Sequence, residues 1–229
     1  VTCVAACIGS ANGCSAPTRP TVTETRIGIA WAEEPSWSRS NSRIAFRHLA
    51  ASSLDTINVS GLYTIRPDGT ECALLIPGSY SSPAWSPDGA SIAAQGPSGH
   101  ITIIFVATGD TVRVGPPDAH FPSWSPAGDS IAFDSGHGNP SGAHTLWVMA
   151  ADGSGARSVV DATEGEWRDP EWGDQGLLLC YRYYRDTPLP ELATVRTTGE
   201  HHTRLTYDSR FDASPTWSYN YEYLAWARG

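Results

Sequence analysis

The chain has 229 residues, with 24 acidic and 15 basic side chains and a formal net charge of −9. Such an acidic protein is a poor partner for nucleic acid or for an anionic membrane surface. Its length suits one all-β domain with a substantial core, and no apolar run in the sequence is long enough to span a bilayer.

The chain begins with a segment that differs in composition from the rest. We interpret residues 1–20, which are small and polar, as an N-terminal arm, and residues 21–229 as the folded domain. Cys3, Cys7 and Cys14 are disulfide candidates, because no second Cys or His pair stands at the spacing of a zinc or haem site. A disulfide-bearing arm is typical of proteins outside the cytoplasm.

The other two cysteines have a simpler interpretation. Cys72 and Cys180 fall in β-rich runs and are expected to be small buried strand residues. Because the chain has five cysteines, at least one is free or bonded to another molecule.

Residues 21–32 alternate between apolar and polar side chains, which is typical of a strand. Ile27, Ile29 and Trp31 lie on its apolar face. We predict that this strand is an assembly strand, which completes the last repeat of the chain either in the same molecule or in a neighbouring one.

Five related segments then follow, each built around a Pro-x-Trp unit. The clearest, residues 83–94, reads Pro-Ala-Trp-Ser-Pro-Asp-Gly-Ala-Ser-Ile-Ala-Ala. The repeats are anchored at Trp37, Trp85, Trp124, Trp172 and Trp217, which stand 39 to 48 positions apart. A period in this range is typical of propeller blades. The Ser-Pro-Asp-Gly segment is typical of a tight turn. The Ile-Ala-Phe-like run after it is predicted to be a buried strand, and the large Trp is expected to anchor the core.

Each repeat continues with a β-rich run, a second tight turn such as Asp152-Gly153, and a final strand. The sequence therefore predicts an all-β fold, a five-bladed β-propeller of four-stranded antiparallel blades. The last repeat has only two strands, so the N-terminal strand is expected to complete the last blade, in cis or in trans. A sixth blade built from residues 1–34 is the alternative.

The units at residues 85–93, Trp-Ser-Pro-Asp-Gly-Ala-Ser-Ile-Ala, and 146–155, Leu-Trp-Val-Met-Ala-Ala-Asp-Gly-Ser-Gly, resemble the repeats of TolB-type, WD-repeat-like propellers. The resemblance covers residues 35–229. TolB has an α/β domain before its propeller, and the residues ahead of Pro35 are too few for one, so we expect a propeller alone. Similar repeats are attached to prolyl peptidases and tricorn-like proteases, so the resemblance implies a fold without fixing an activity.

The loops at one end of the predicted blades meet around the central channel, and many of their residues are polar. The candidate ligand-binding residues of this rim are His48, His100, His120, Asp134, His137, His144, Trp167, Arg168, Asp169, Asp208 and Arg210, with Asp118 among the nearby carboxylates. A rim of this composition could bind a ligand or a metal ion. The alternative is that the residues are polar because loops face solvent. We assign no metal and no cofactor to it.

The sequence lacks a Gly-x-Ser-x-Gly elbow, a phosphate-binding loop and a His-Glu-x-x-His motif, so we do not expect an enzyme. The leading interpretation is a non-catalytic, extracytoplasmic interaction module, periplasmic, cell-surface or secreted and of bacterial type, which binds a protein partner or itself. One alternative is a self-polymerising subunit of an extracellular filament, assembled by exchange of the N-terminal strand. Another is a metal-assisted hydrolase or lyase with its site on the propeller axis.

Overall fold

The computed structural model describes residues 2–7, 32–40, 42–50, 59–161, 165–183, 189–207, 210–218 and 220–228. The strands are β1 (Thr2–Cys7), β2 (Ala32–Trp37), β3 (Ile44–His48), β4 (Gly61–Ile65), β5 (Ala73–Pro77), β6 (Ser81–Trp85), β7 (Ser91–Gln95), β8 (Ile101–Phe105), β9 (Thr111–Val114), β10 (Ala119–Trp124), β11 (Ser130–Ser135), β12 (Thr145–Ala150), β13 (Arg157–Ser158), β14 (Glu166–Trp172), β15 (Leu177–Tyr183), β16 (Glu191–Arg196), β17 (Thr203–Arg204), β18 (Asp212–Trp217) and β19 (Tyr223–Arg228). A 3₁₀ turn, Asp174–Gly176, precedes β15. The described part of the chain has no helix with the length and apolarity needed to cross a membrane.

The strands form antiparallel sheets that follow the sequence repeats. Strands β2 to β17 make four sheets of four strands each, and every sheet uses its strands in chain order. Among the described residues, the last sheet has three strands in the order β1-β19-β18. The all-β prediction with four-stranded antiparallel units is therefore confirmed.

The last sheet takes a strand from the beginning of the chain. Strand β1 pairs antiparallel with β19 from Thr2 opposite Arg228 to Cys7 opposite Tyr223. Part of the segment predicted as an arm is thus a strand of this sheet. The predicted assembly residues Ile27, Ile29 and Trp31, and the disulfide candidate Cys14, lie outside the described residues, as do the side chains of Cys3 and Cys7.

Turn chemistry sets the boundaries of the first hairpin in each sheet. In the second sheet, Asp88 accepts hydrogen bonds from the Ser86 hydroxyl at 2.6 Å and from the Ala90 amide at 2.9 Å. These two bonds, the first more than the second, hold the pKa of Asp88 below its ordinary value. Gly89 takes φ = +72°, which only glycine adopts freely. The Ser-Pro-Asp-Gly segment is therefore a turn, as predicted.

The core lies between neighbouring sheets and comes mainly from their middle strands. Residues 44–46, 92–94 and 131–133, the Ile-Ala-Phe-like runs, are all buried. The largest fully buried side chains are Trp167, Phe133, Leu62, Ile65, Ile92, Ile101, Ile104, Ile131, Leu146, Leu178 and Leu192. Branched aliphatic and aromatic side chains on a pleated surface pack well in this arrangement. The apolar area that they remove from water is the main stabilising term of the fold.

The repeated Trp residues fill this core only in part: Trp124, Trp172 and Trp217 pack against it half-buried, whereas Trp37 is exposed. Each ends the innermost strand of its sheet and lines a central cavity, where Trp37 is 53% exposed. The indole Nε1 of Trp85 donates to the Ser36 carbonyl at 3.2 Å, and that of Trp124 donates to the Ala84 carbonyl at 3.1 Å. The indoles of Trp85 and Trp124 therefore link adjacent sheets.

Cys72 also departs from the prediction, which made it a buried strand residue. It lies just before strand β5 begins, and it is an exposed, free cysteine. The side chain of Cys180 lies outside the described residues.

Candidate functional site

The central cavity is lined by residues of all five innermost strands, β2, β6, β10, β14 and β18. Its volume is about 670 Å³. Each of these strands has a register shift that spans the proline of its Pro-x-Trp unit and the residue before it. The residue before the proline has φ between +49° and +54° in every strand: Glu34, Ser82, Phe121, Asp169 and Ser214. This bulge brings the same position of each repeat to one end of the cavity.

Carboxylates gather on one side of the cavity. We call Glu34, Asp169 and Glu171 the carboxylate wall; all three line the cavity and come from two sheets. Burial raises the pKa of Asp169 to about 7, and the negative charges of Asp134 and Glu34 add to the effect. A positive charge bound beside the carboxylate wall would therefore stabilise the ionised form of these carboxyl groups.

Glu171 is affected in the same way. Burial raises its pKa to about 8, repulsion from Asp169 adds to this, and a hydrogen bond with Thr216 opposes it. The side chain is only half-buried and borders the open cavity. Near neutral pH, Glu171 is therefore mostly protonated and neutral.

Arg39 bridges the end of the cavity beyond the Trp residues. Its Nη1 donates to the Pro126 carbonyl at 3.0 Å, and its Nη2 donates to the Tyr221 hydroxyl at 2.9 Å. These bonds connect the first sheet with the third and the last. The cavity thus has a guanidinium at one end and carboxylates toward the other.

A group of imidazole and carboxylate side chains lies on the loop side of the third sheet. We call Asp118, His120 and His144 the His–Asp cluster; one ligand atom from each lies within 4.8 Å of the others. His120 Nε2 is 3.0 Å from Asp118 Oδ1, and His144 Nε2 is 3.5 Å from Asp118 Oδ2. The backbone amide of Gly136 also donates to Asp118 at 3.2 Å.

Local structure explains this convergence. Asp118 has φ = +57° just before strand β10, and His120 is the second residue of that strand. His144 immediately precedes β12, which pairs with β11 beside β10. Partial burial pushes the pKa of Asp118 upward, but the hydrogen bond with His120 and the nearby imidazoles hold it below its ordinary value.

Asp134 supports the cluster from behind. Its carboxylate is fully buried and accepts a 2.6 Å hydrogen bond from His144 Nδ1. It also accepts from the Asp169 backbone amide at 2.9 Å and lies 3.7 Å from Arg168 Nη1. The bond to Nδ1 leaves Nε2 of His144 facing Asp118. Asp134 therefore connects the His–Asp cluster with the carboxylate wall.

The structure brings together five of the predicted rim residues, which form one connected set through Asp134 and Asp118: His120, Asp134, His144, Arg168 and Asp169. Arg168 also pairs with Glu166 at 2.6 Å. Asp118 contacts both histidines of the His–Asp cluster, but from the sequence it was named only as one of the nearby carboxylates of the rim. Its spacing of two residues from His120 was the signal that could have singled it out.

The remaining candidates are placed elsewhere. His48 is buried with its ring edge against Tyr63, and Trp167 is a core residue. His100 bonds to the Ser98 carbonyl of its own loop, and His137 is exposed, with its ring 6.0 Å from that of Trp147. Arg210 is exposed, and Asp208 lies outside the described residues.

Repeated four-stranded sheets whose innermost strands surround a cavity define a β-propeller. Structural comparison agrees. The chain is similar to a putative TolB from Agrobacterium tumefaciens, with TM-score 0.71, 18% identity, and coverage of 88% of this chain and 76% of that one. It is also similar to TolB from Acinetobacter baumannii, with TM-score 0.65, 12% identity, and coverage of 86% of this chain and 54% of that one. A third similar structure is an oligogalacturonate lyase from Vibrio parahaemolyticus, with TM-score 0.62, 8% identity, and coverage of 84% of this chain and 58% of that one.

The predicted TolB-type propeller fold is thereby confirmed. At identities of 18% and below, the likeness concerns the fold alone. No protein-family model matches the sequence, and no curated protein matches it.

Proposed function

We propose that this protein is a non-catalytic interaction module that receives a basic segment of a partner protein in its central cavity. The observation that carries the proposal is the set of repeated Trp side chains on an open cavity, with Trp37 53% exposed. Exposed Trp is rare on a protein surface and enriched at the energetic centres of interfaces. A TolB-type fold supports an interaction module in general terms.

Charge determines the kind of segment. The net charge is −9, and the carboxylate wall holds Asp169 and Glu171 in partly desolvated positions. An Arg or Lys side chain beside them would lower both pKa values, so binding would release protons. A cavity of about 670 Å³ accommodates a few residues of an extended peptide.

Short peptides provide the test. Arg-containing peptides with small flanking residues are titrated into the protein by calorimetry, with matched peptides in which Glu replaces Arg. We expect the Arg peptides to bind and Trp37→Ala to weaken binding by about tenfold or more. Tyr207→Ala, at a side chain that is 73% exposed and outside the cavity lining, is the control and should leave binding unchanged. Equal losses in both variants, or equal binding of the Glu peptides, would contradict the proposal.

We further propose that the sheets form a complete ring of five blades, closed in cis by strand β1. The recurrent bulge of the innermost strands and the Arg39 bridge between the first and last sheets support this. Ala5→Pro would interrupt the backbone pairing of Ala5 with Ala225. We expect this variant to be less stable, and the native protein to be monomeric by light scattering.

A filament subunit assembled by strand exchange is the contrasting proposal. It rests on Ile27, Ile29 and Trp31, which lie outside the described residues. In that case light scattering would find large native assemblies, and a change in those residues would dissociate them. We also propose an extracytoplasmic location because of the cysteine-bearing arm, and cell fractionation tests it.

The His–Asp cluster favours one second candidate, a metal-assisted hydrolase or lyase. Its test is turnover of a panel of ester, peptide and uronide substrates by protein supplied with Zn²⁺. Activity that requires the metal and disappears in His144→Ala would support an enzyme, and its absence across the panel would favour the interaction module.

A further inference from the structure

We propose that Asp118, His120 and His144 bind a divalent transition-metal ion, with Zn²⁺ as the best match. The proposal concerns the His–Asp cluster alone and does not depend on what the central cavity binds. Three side chains of the right types converge there, and their ligand atoms lie within 4.8 Å of one another.

The distances are close to those that a zinc site requires. Zinc bonds of about 2.0–2.1 Å in tetrahedral geometry place ligand atoms about 3.4 Å apart. His120 Nε2 lies 3.0 Å from Oδ1 of Asp118, and His144 Nε2 lies 3.5 Å from Oδ2 of the same carboxylate. One ligand atom from each residue lies within 4.8 Å of the others, so the three are slightly farther apart than in a closed site. The side chains of His120 and Asp118 are 25% and 53% exposed, so small rotations of these two residues can complete the geometry.

His144 offers its Nε2 atom for a physical reason. The buried carboxylate of Asp134 accepts from His144 Nδ1 at 2.6 Å, which fixes the proton on Nδ1 and leaves the lone pair on Nε2. A carboxylate behind a metal-binding His is the usual arrangement that orients the ring and raises its basicity. Asp134 is thus a positioning residue for the proposed site.

The donor set selects the class of ion. Two of three ligand atoms are imidazole nitrogens, which suit Zn²⁺, Co²⁺, Ni²⁺ or Cu²⁺, whereas Ca²⁺ and Mg²⁺ prefer oxygen alone. Three protein ligands leave a fourth position open to solvent. His120 adjoins Phe121, a residue of the cavity lining, with ring centroids 6.4 Å apart.

The first experiment measures metal binding by tag-free protein that has been stripped with a chelator. Zn²⁺ is titrated in competition with a chromophoric chelator, and Ca²⁺ serves as the comparison ion. We expect one Zn²⁺ per chain and no Ca²⁺ binding at the same concentrations. Co²⁺ substitution should give the intense visible absorption of a four-coordinate site, a readout that does not involve activity.

Variants locate the site. His144→Ala and His120→Ala should each weaken Zn²⁺ binding by about a hundredfold or more, and Asp118→Asn should weaken it at least tenfold. His137→Ala is the matched control, because this exposed histidine lies on the loop between Asp134 and His144 and outside the cluster. Asp118 and His120 are accessible enough that their variants should fold even if His144→Ala does not.

Asp134→Asn tests the positioning role. We expect binding to weaken by about 10- to 100-fold while the Co²⁺ spectrum keeps its four-coordinate form. The proposal is overturned if His120→Ala and Asp118→Asn bind Zn²⁺ as tightly as the native chain, or if His137→Ala causes the larger loss. It is also overturned if Co²⁺ shows only the weak spectrum of a six-coordinate aqua ion.

Discussion

Replacing Glu171 by Gln should change how the stability of the protein depends on pH. The pKa of Glu171 is raised from its ordinary value of 4.5 to about 8, first by burial and then by Asp169. Between these two values the folded protein keeps a proton that the unfolded chain has released. Stability therefore falls as the pH rises from about 4.5 to about 8, and it levels off above that range.

The size of the effect follows from the same two values. Their difference corresponds to at most about 5 kcal/mol at 1.36 kcal/mol per pKa unit. Because the side chain is only half-buried and solvent screens its charge, we expect about 2 kcal/mol. Gln resembles the protonated acid and does not ionise, so Glu171→Gln should match the native protein near pH 5 and exceed its stability by about 2 kcal/mol near pH 9.

Denaturant unfolding at pH 5, 7 and 9 measures this difference. Glu200→Gln, at an exposed hairpin turn, removes the same formal charge and is the control. A gap between Glu171→Gln and the native chain that stays constant across the three pH values would refute the reasoning. So would an equal pH-dependent gap in the control.

Three further predictions concern stability and reactivity. Gly153 and Gly69 both have φ = +86°, but a Cβ at Gly153 would lie 2.8 Å from a side chain of the next sheet, whereas at Gly69 nothing lies within 4 Å. Gly153→Ala should therefore cost about 3 kcal/mol and Gly69→Ala about 1 kcal/mol; equal losses in denaturant unfolding would contradict the packing argument. Phe133→Ala, at a fully buried ring, should cost about 4 kcal/mol, while Phe105→Ala, at a ring 41% exposed, should cost under about 1 kcal/mol; similar melting shifts would be inconsistent with the assigned core. Cys72 should react with a thiol reagent in the native protein, faster at alkaline pH because burial raises its pKa, and failure to react would show that it is covered.

Local chemistry made much of the fold predictable. The Ser-Pro-Asp-Gly segment around Asp88 encodes its turn within a few residues, because the hydrogen bonds that close it come from Ser86 and Ala90. The buried Ile-Ala-Phe-like strands follow from the same repeat. A pattern repeated at 39 to 48 positions then implies copies of one antiparallel sheet.

Properties that depend on distant residues were not predictable in the same way. The Trp repeats were expected in the core, but Trp37, at the end of its innermost strand, is exposed and lines the cavity. The position of a residue in its sheet decides whether its side chain faces a neighbouring sheet or the central axis. The type of side chain alone does not specify that position.

The candidate sites show the same division. The sequence by itself determined an acidic all-β chain of repeated sheets with His, Asp and Arg on one set of loops. Only the tertiary structure decided that Asp118, His120 and His144 converge while His100 and His137 do not. It also placed Asp169 and Glu171 on one cavity wall and raised their pKa values. The physical reason is that turns and strands are set by neighbours in sequence, whereas ligand geometry and desolvation depend on where the sheets bring separate loops and strands together.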